Sequence, residues 1–258
     1  MTGIELTRIE LTRIEEAGLN ALQTQQQLFY DGWLLRVSPG NAKRARSVNP
    51  YFGSTLAVDC KIAHCERVYA ARDLPTLFRI TPFSVPSDLD DVLARHGYVL
   101  FQPTHVQVAA LDRPPEAIAD PAIELVAPPI AEFVEEVAAL RGSSPEQRTA
   151  HFERLARTPL ATRAIVARQD GRTAACGQVV LDGDLAGVYD MVTDAAFRRR
   201  GVATMIVAEL LSWAWQHGAR SAYLQVDAEN APALAAYRRF GFTTAYTYHY
   251  RGRPNECH

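Results

Sequence analysis

The sequence predicts an α/β protein: a mixed sheet flanked by helices, built twice, in domains spanning residues 1–118 and 119–258. Three observations carry this. Strand-like and helix-like patterns alternate along the whole chain, which is the signature of helices packed on sheets. The stretch LDRPPEAIADPAIELVAPP, Leu111 to Pro129, gathers prolines and small residues between two patterned regions and reads as a linker. Finally, LARHGYVLFQPTHVQV laid on YRRFGFTTAYTYHYRG aligns Gly97 with Gly241 and Arg95 with Arg239. The order of elements around the two stretches also agrees, as a decayed duplication would leave it.

In chain order, the opening IELTRIELTRIEE repeats with period five, which fits neither the helical nor the strand period. It is expected to be a solvated terminus. GWLLRVSP and RSVNPYF read as strands, STLAVDCKIAHCERVYAARD as a helix, TLFRITPF as a strand and SDLDDVLARHG as a helix. YVLFQPTHVQVAAL is expected to be a closing pair of strands. After the linker, AIELVA is a strand, PIAEFVEEVAALRG a helix stopped by Gly142, and SPEQRTAHFERLART a helix behind a serine cap. RAIVARQDGRTAACGQVVLDGDL is a hairpin turning at Asp170-Gly171. AGVYDMVT is a strand, and Ala203, Ile206, Val207, Leu210, Leu211 and Ala214 keep helical spacing up to Gly218. SAYLQVDAEN, APALAAYRRFG and FTTAYTYHYRG finish the chain as strand, helix and strand.

Bulk properties narrow the function. The chain has 258 residues, 48% hydrophobic and 22% charged, with a formal net charge of −2. That is ample core and no global attraction for nucleic acid. No stretch suits a secretory signal or a membrane span, so a soluble, cytoplasmic protein is expected. Four cysteines (Cys60, Cys65, Cys176, Cys257) do not make a disulfide framework in a chain of this length.

The informative junction is TDAAFRRRGVATMIV, where Arg198, Arg199 and Arg200 abut Gly201 at the start of an apolar helix. A helix N-terminus leaves backbone N–H groups unpartnered and carries partial positive charge, so it suits an anion. Phosphates dock there when the preceding loop is slim. Gly201 and Ala203 keep bulk away, with Val202 and Thr204 completing the first turn. By itself this says pyrophosphate without naming its carrier; a solvated arginine cluster is the bland alternative. Neither a Walker loop nor GxGxxG is present.

Arg198-x-x-Gly201-x-Ala203, entering a helix straight after a strand, resembles the (Q/R)xxGx(G/A) signature of the GNAT superfamily of N-acetyltransferases. Asn230 followed by ALAAYRRFGF is similar to that family's N-x-x-A-x-x-x-Y-x-x-x-G-F tail. The resemblance covers roughly residues 122–251; Ala195 departs from it, standing where many members carry proline.

The resemblance implies an acetyltransferase that binds acetyl-coenzyme A and passes the acetyl group to a primary amine by direct attack. It implies that the Arg198–Thr204 loop holds the pyrophosphate and that backbone amides of Met191, Val192 and Thr193 meet the pantetheine and the carbonyl. Tyr237 would then protonate the departing sulfur, with Asn230 on the same side of the coenzyme. Asp190, an ionisable group in an apolar strand, is a candidate base for the amine, and burial is expected to raise its pKa; a structural carboxylate paired with an arginine is the alternative. Asn230 is also a well-formed helix cap, and Tyr237 also reads as a core aromatic.

No metal site is expected, since CKIAHC places Cys60 and His64 at no familiar ligand spacing. Cys176 sits mid-strand with no histidine near it in sequence, and Trp213 and Trp215 read as packing. In the first half, Leu93 falls at the position of Tyr237 and Pro86 at that of Asn230, with no phosphate loop, so that half is expected not to catalyse. The rival readings are a coenzyme A–binding sensor without turnover and a nucleic-acid binder using the arginines. Partners are a small-molecule or peptide amine, with no nucleic acid and no membrane; the oligomeric state is left open, a homodimer included.

Overall fold

The computed structural model describes residues 6–38 and 42–256. The chain forms two compact units: Met1–Gln23 with Val106–Ala245, and Thr24–His105 with Tyr246–His258. The boundary expected at 118/119 does not coincide with this division. Each unit takes one terminal segment from the other half of the sequence.

The smaller unit begins with a hairpin, β1 (Gln26–Tyr30) and β2 (Trp33–Val37), turning at Asp31-Gly32. Then follow β3 (Val48–Pro50), α2 (Val58–Ala70), β4 (Phe78–Ile80), α3 (Leu89–Arg95) and β5 (Val99–Ala110); α1 (Arg8–Asn20) precedes them in the chain and belongs to the other unit. The strand order here is β1-β2-β3-β4, with β4 pairing antiparallel to β11 (Thr243–Gly252). Alternate residues Trp33, Leu35 and Val37 join Val48, Phe78 and Ile80 in a core sealed by Ile62, Tyr69, Leu89 and Leu93 of the two helices. Leu93, at the position equivalent to Tyr237, is therefore core and fully buried.

The larger unit contains β6 (Glu124–Val126), α4 (Ile130–Arg141), α5 (Pro145–Arg157), β7 (Thr162–Gln169), β8 (Arg172–Asp182), β9 (Leu185–Thr193), α6 (Val202–Gln216), β10 (Ser221–Asp227) and α7 (Ala231–Arg238). Its strand order is β5-β10-β9-β8-β7-β6, with β10 parallel to β9 and the β6–β9 meander antiparallel. The alternation along β7 sorts the helices. Ile165 and Ala167 face α6 with Ile206, Leu210 and Leu211, while Val166 faces α4 and α5 with Phe133, Val137 and Leu155. A mixed sheet with helices on both faces results, as expected.

Local chemistry explains the ends of the elements. Ser144 and Gln147 form a reciprocal capping box at the start of α5, and Gly142 stops α4 in the left-handed conformation. Asp170-Gly171 turns the β7–β8 hairpin with both φ positive (51° and 75°).

Two expectations are corrected. From Arg8 onward the period-five opening is helix α1, capped by a Thr7/Glu10 box, with Ile14, Ala17 and Gly18 buried. YVLFQPTHVQVAAL is one strand, with an irregularity at Gln102 (φ 50°) before Pro103 in place of a turn. The β1 hairpin partner was not anticipated. No helix among the described residues is long and apolar enough to cross a membrane.

Candidate active site

β9 and β10 run in parallel register from Leu185↔Ser221 to Val188↔Leu224, and the pairing stops there. The cause lies in β8 and β9 themselves. The β8–β9 register shifts between Cys176 and Gln178, a bulge that bends the strand, and Asp190 lies in the left-handed region (φ 51°). Gly177 is needed at this bulge, because an added methyl would run into Met191 Sδ and come within 2.9 Å of Ile206.

Beyond the divergence lies a cavity of about 640 Å³. Met191, Val192 and Thr193 of β9 line one side; Arg198, Arg199, Gly201, Val202, Ala203 and Thr204 line the start of α6; Asn230 and Tyr237 line the α7 side. The volume is in the range of small-molecule sites. Eleven of the thirteen residues predicted from sequence thus meet in one place. Arg200 and Asp190 are not among them. Arg200 instead lies over the Phe197 ring, 5.5 Å from its centroid, and donates to Gln169 Oε1 at 3.4 Å.

At the mouth of α6, Gly201 is the cap residue with φ 79°, and no side chain caps the helix. Its first-turn amides are therefore left to a ligand or to water, next to the exposed Arg198 and Arg199. The space where a Gly201 side chain would project holds no atom within 4 Å. At the other wall, Asn230 Oδ1 accepts from Ala233 N–H at 3.2 Å, which fixes the start of α7. Tyr237, on the same helix, is half-buried and packs edge-on against Phe242 at 6.0 Å. Burial pushes its phenol up to about 12, so it stays protonated across the physiological range.

Residues 9–251 match the family model described as "Probable histone acetyltransferase Rv0428c C-terminal". The N-acetyltransferase YobR of Bacillus subtilis (strain 168) is 30% identical over 226 residues, covering 85% of this chain and 89% of YobR. The chain belongs to the GNAT family of N-acetyltransferases. Its fold agrees with a GCN5-related N-acetyltransferase from Kribbella flavida (TM-score 0.70, 18% identity, 95% of each chain). It agrees also with a tandem GNAT protein from the clavulanic acid biosynthesis pathway (TM-score 0.62, 16% identity, 85% of this chain and 76% of the other). As a GNAT enzyme the protein is an acyltransferase, and such acetyltransferases use acetyl-coenzyme A as substrate.

Asp190 requires a correction. Burial was expected to raise its pKa; its carboxyl is instead held far below the usual carboxylate range. Desolvation does push it upward, but the His151 and Arg141 charges and hydrogen bonds outweigh that push. Arg141 Nη1 donates to Oδ1 at 2.9 Å, Gln178 Nε2 donates to Oδ2 at 2.6 Å, and His151 Nε2 meets Oδ2 at 2.9 Å. Three donors on one carboxylate favour its ionised form. The arginine pairing weighed from sequence is present, with Arg141 as the partner; what sequence reasoning did not give is which arginine it is and the histidine, His151, beside it. The polar face of α5 hides the signal: among its charged and polar residues only His151 is buried, 7% exposed.

Cys176 is fully buried and its thiol is raised to about 12 by desolvation, unsuited to a nucleophile. His64 stacks on Tyr30 with centroids 3.7 Å apart, while Cys60 on the same helix is exposed. Trp213 and Trp215 pack against the α6-side core, as expected. Cys257 lies outside the described residues.

Proposed function

We propose that this enzyme takes the acetyl group of acetyl-coenzyme A and delivers it to a primary amine by direct attack, without an acyl-enzyme. The observation that carries the reading is that an uncapped helix start, two arginines, the free edge of β9 and Tyr237 come together around one cavity. In this reading the amides of Val202, Ala203 and Thr204 and the side chains of Arg198 and Arg199 hold the pyrophosphate. The Met191–Thr193 edge, released from β10, offers its backbone to the pantetheine and the thioester carbonyl, and Asn230 braces the far wall. Tyr237, a phenol kept protonated by burial, gives its proton to the departing sulfur.

The larger unit then carries the chemistry. The smaller one is read as a degenerate GNAT copy, since Leu93 fills a core where the larger unit has Tyr237. The match along most of the chain to a tandem GNAT protein supports a duplicated origin. A coenzyme A sensor without turnover is disfavoured, because a proton donor has no use in mere binding.

The test is thiol release from acetyl-coenzyme A with a panel of amino acids, polyamines, aminoglycosides and N-terminal peptides, for wild type and Tyr237→Phe. Amine-dependent release that falls about 10²-fold in kcat in the variant, the usual worth of one acid–base group, is the expected result. Equal background rates in both proteins would remove the enzymatic reading.

A further inference from the structure

Asp190 lies two residues past the last β9–β10 pair, Val188↔Leu224, and immediately precedes Met191, the first residue of the cavity wall. Along the wall from the α6 loop, this is the end away from the pyrophosphate site, where the proposed reading puts the acyl group. Asp190 and its three partners are not themselves among the residues lining the cavity; they stand directly behind its first wall residue, within reach of one bridging water, and their arrangement asks which member accepts a proton. Asp190 itself is a poor choice: its two oxygens already accept from Arg141, Gln178 and His151, and the same contacts hold it ionised. A guanidinium offers five donors and no acceptor, so Arg141 cannot take a proton, and the amide of Gln178 is no base. His151 remains. It is the buried polar residue of α5, its side chain only 9% exposed, and α5 packs against α4 behind the bulged strands.

We propose that His151 is the proton acceptor for the incoming amine through a bridging water, held in that role by Asp190. This rests on the acetyl-transfer reading above. The Asp190 carboxylate takes the Nε2–H, which fixes the tautomer and leaves the lone pair on Nδ1. That is the general arrangement of a base oriented by a third group. The charged groups around His151 are Asp190 from β9 and Arg141 from the end of α4. On its own helix they are Arg148, paired to Glu135, and Arg154, which donates to the Ala150 carbonyl.

The step balances. Through that water His151 takes one proton from the ammonium, freeing the lone pair that forms the N–C bond to the acyl carbon. The C–S bond breaks and its electron pair leaves with sulfur, which receives the Tyr237 proton. The second nitrogen proton makes good the phenol, and His151 returns its own to solvent, so one proton is released per turnover.

The experiment measures kcat/KM for the fastest amine of the panel, with acetyl-coenzyme A, from pH 5.5 to 9.5 in wild type, His151→Gln and His151→Asn. Coenzyme A binding heat is read in parallel. Expected are unchanged coenzyme A heat, a loss of about 10²-fold at pH 7, and a pH profile that lacks a rising limb seen in wild type. What remains should climb only with the amine's own deprotonation. An unaltered profile in either folded variant overturns the assignment. So does loss of coenzyme A heat together with activity in both variants, since the imidazole would then be structural. A wild type that releases no thiol with any amine instead overturns the transfer reading itself.

Discussion

Asp190 shows how far one residue's chemistry depends on neighbours distant in sequence. It lies 39 residues from His151 and 49 from Arg141, and α4 and α5 bring both side chains to it. No local pattern announces that meeting. The sequence made Asp190 legible as an ionisable group in an apolar strand, with an arginine partner as one reading, but not which arginine nor the histidine beside it, and so not the direction of its shift. Because the folded carboxyl ionises below its unfolded value, it contributes stability at every pH above the unfolded range, about 3.9. That contribution drains as pH falls through and below this range. The melting temperature of Asp190→Asn should therefore trail wild type most between pH 6 and 8, and the gap should narrow from about pH 4 downward. A gap independent of pH would contradict the ionised, three-donor description. Gly201, Asn230 and Tyr237, by contrast, were readable because their spacing lies within single loops and helices, where a motif survives as text.

At the scale of elements, those with their own stop and start signals were legible. α5 announces itself through Ser144 and Gln147, and α4 ends where Gly142 permits a left-handed turn. Removing the α5 cap with Ser144→Ala should cost about 1 kcal/mol, a fall of roughly 2–4 °C in melting temperature for a protein of this size. Differential scanning calorimetry checks it, and an unchanged midpoint would mean the capping box is not formed. Elements whose burial comes from elsewhere were not legible. In α1 the period-five repeat places Ile9 outward, 82% exposed, while Ile14 turns inward with Ala17 and Gly18. The inward stripe follows the helical period only from Ile14 onward, so the repeat masked it. Contacts of α1 to the β8–β9 turn, Asn20 to Asp182 at 2.9 Å and Arg13 to Asp184, complete the helix's anchoring.

For the whole molecule, the chain's order and its spatial units part company. β5 begins in the smaller unit and ends, from Val106, in the larger; β11 begins in the larger and ends, from Tyr246, in the smaller. A strand's hydrophobic pattern says that it joins a sheet, not which one, so the boundary at 118/119 was a reading of composition alone. A fragment of residues 119–258 lacks α1 and the Val106–Ala110 stretch that flanks β10. It should show no cooperative unfolding transition in circular dichroism, whereas a soluble fragment that melts cooperatively would contradict the division.

The central claim, that a side-chain-free helix start at Gly201 receives a pyrophosphate, is tested most directly by calorimetric titration of the full chain with coenzyme A. Wild type should give saturable heat. Gly201→Val, which adds bulk at the cavity and forces a left-handed backbone costing about 1–2 kcal/mol, should bind at least about tenfold more weakly. No heat from wild type, or identical affinity in the variant, would contradict the account.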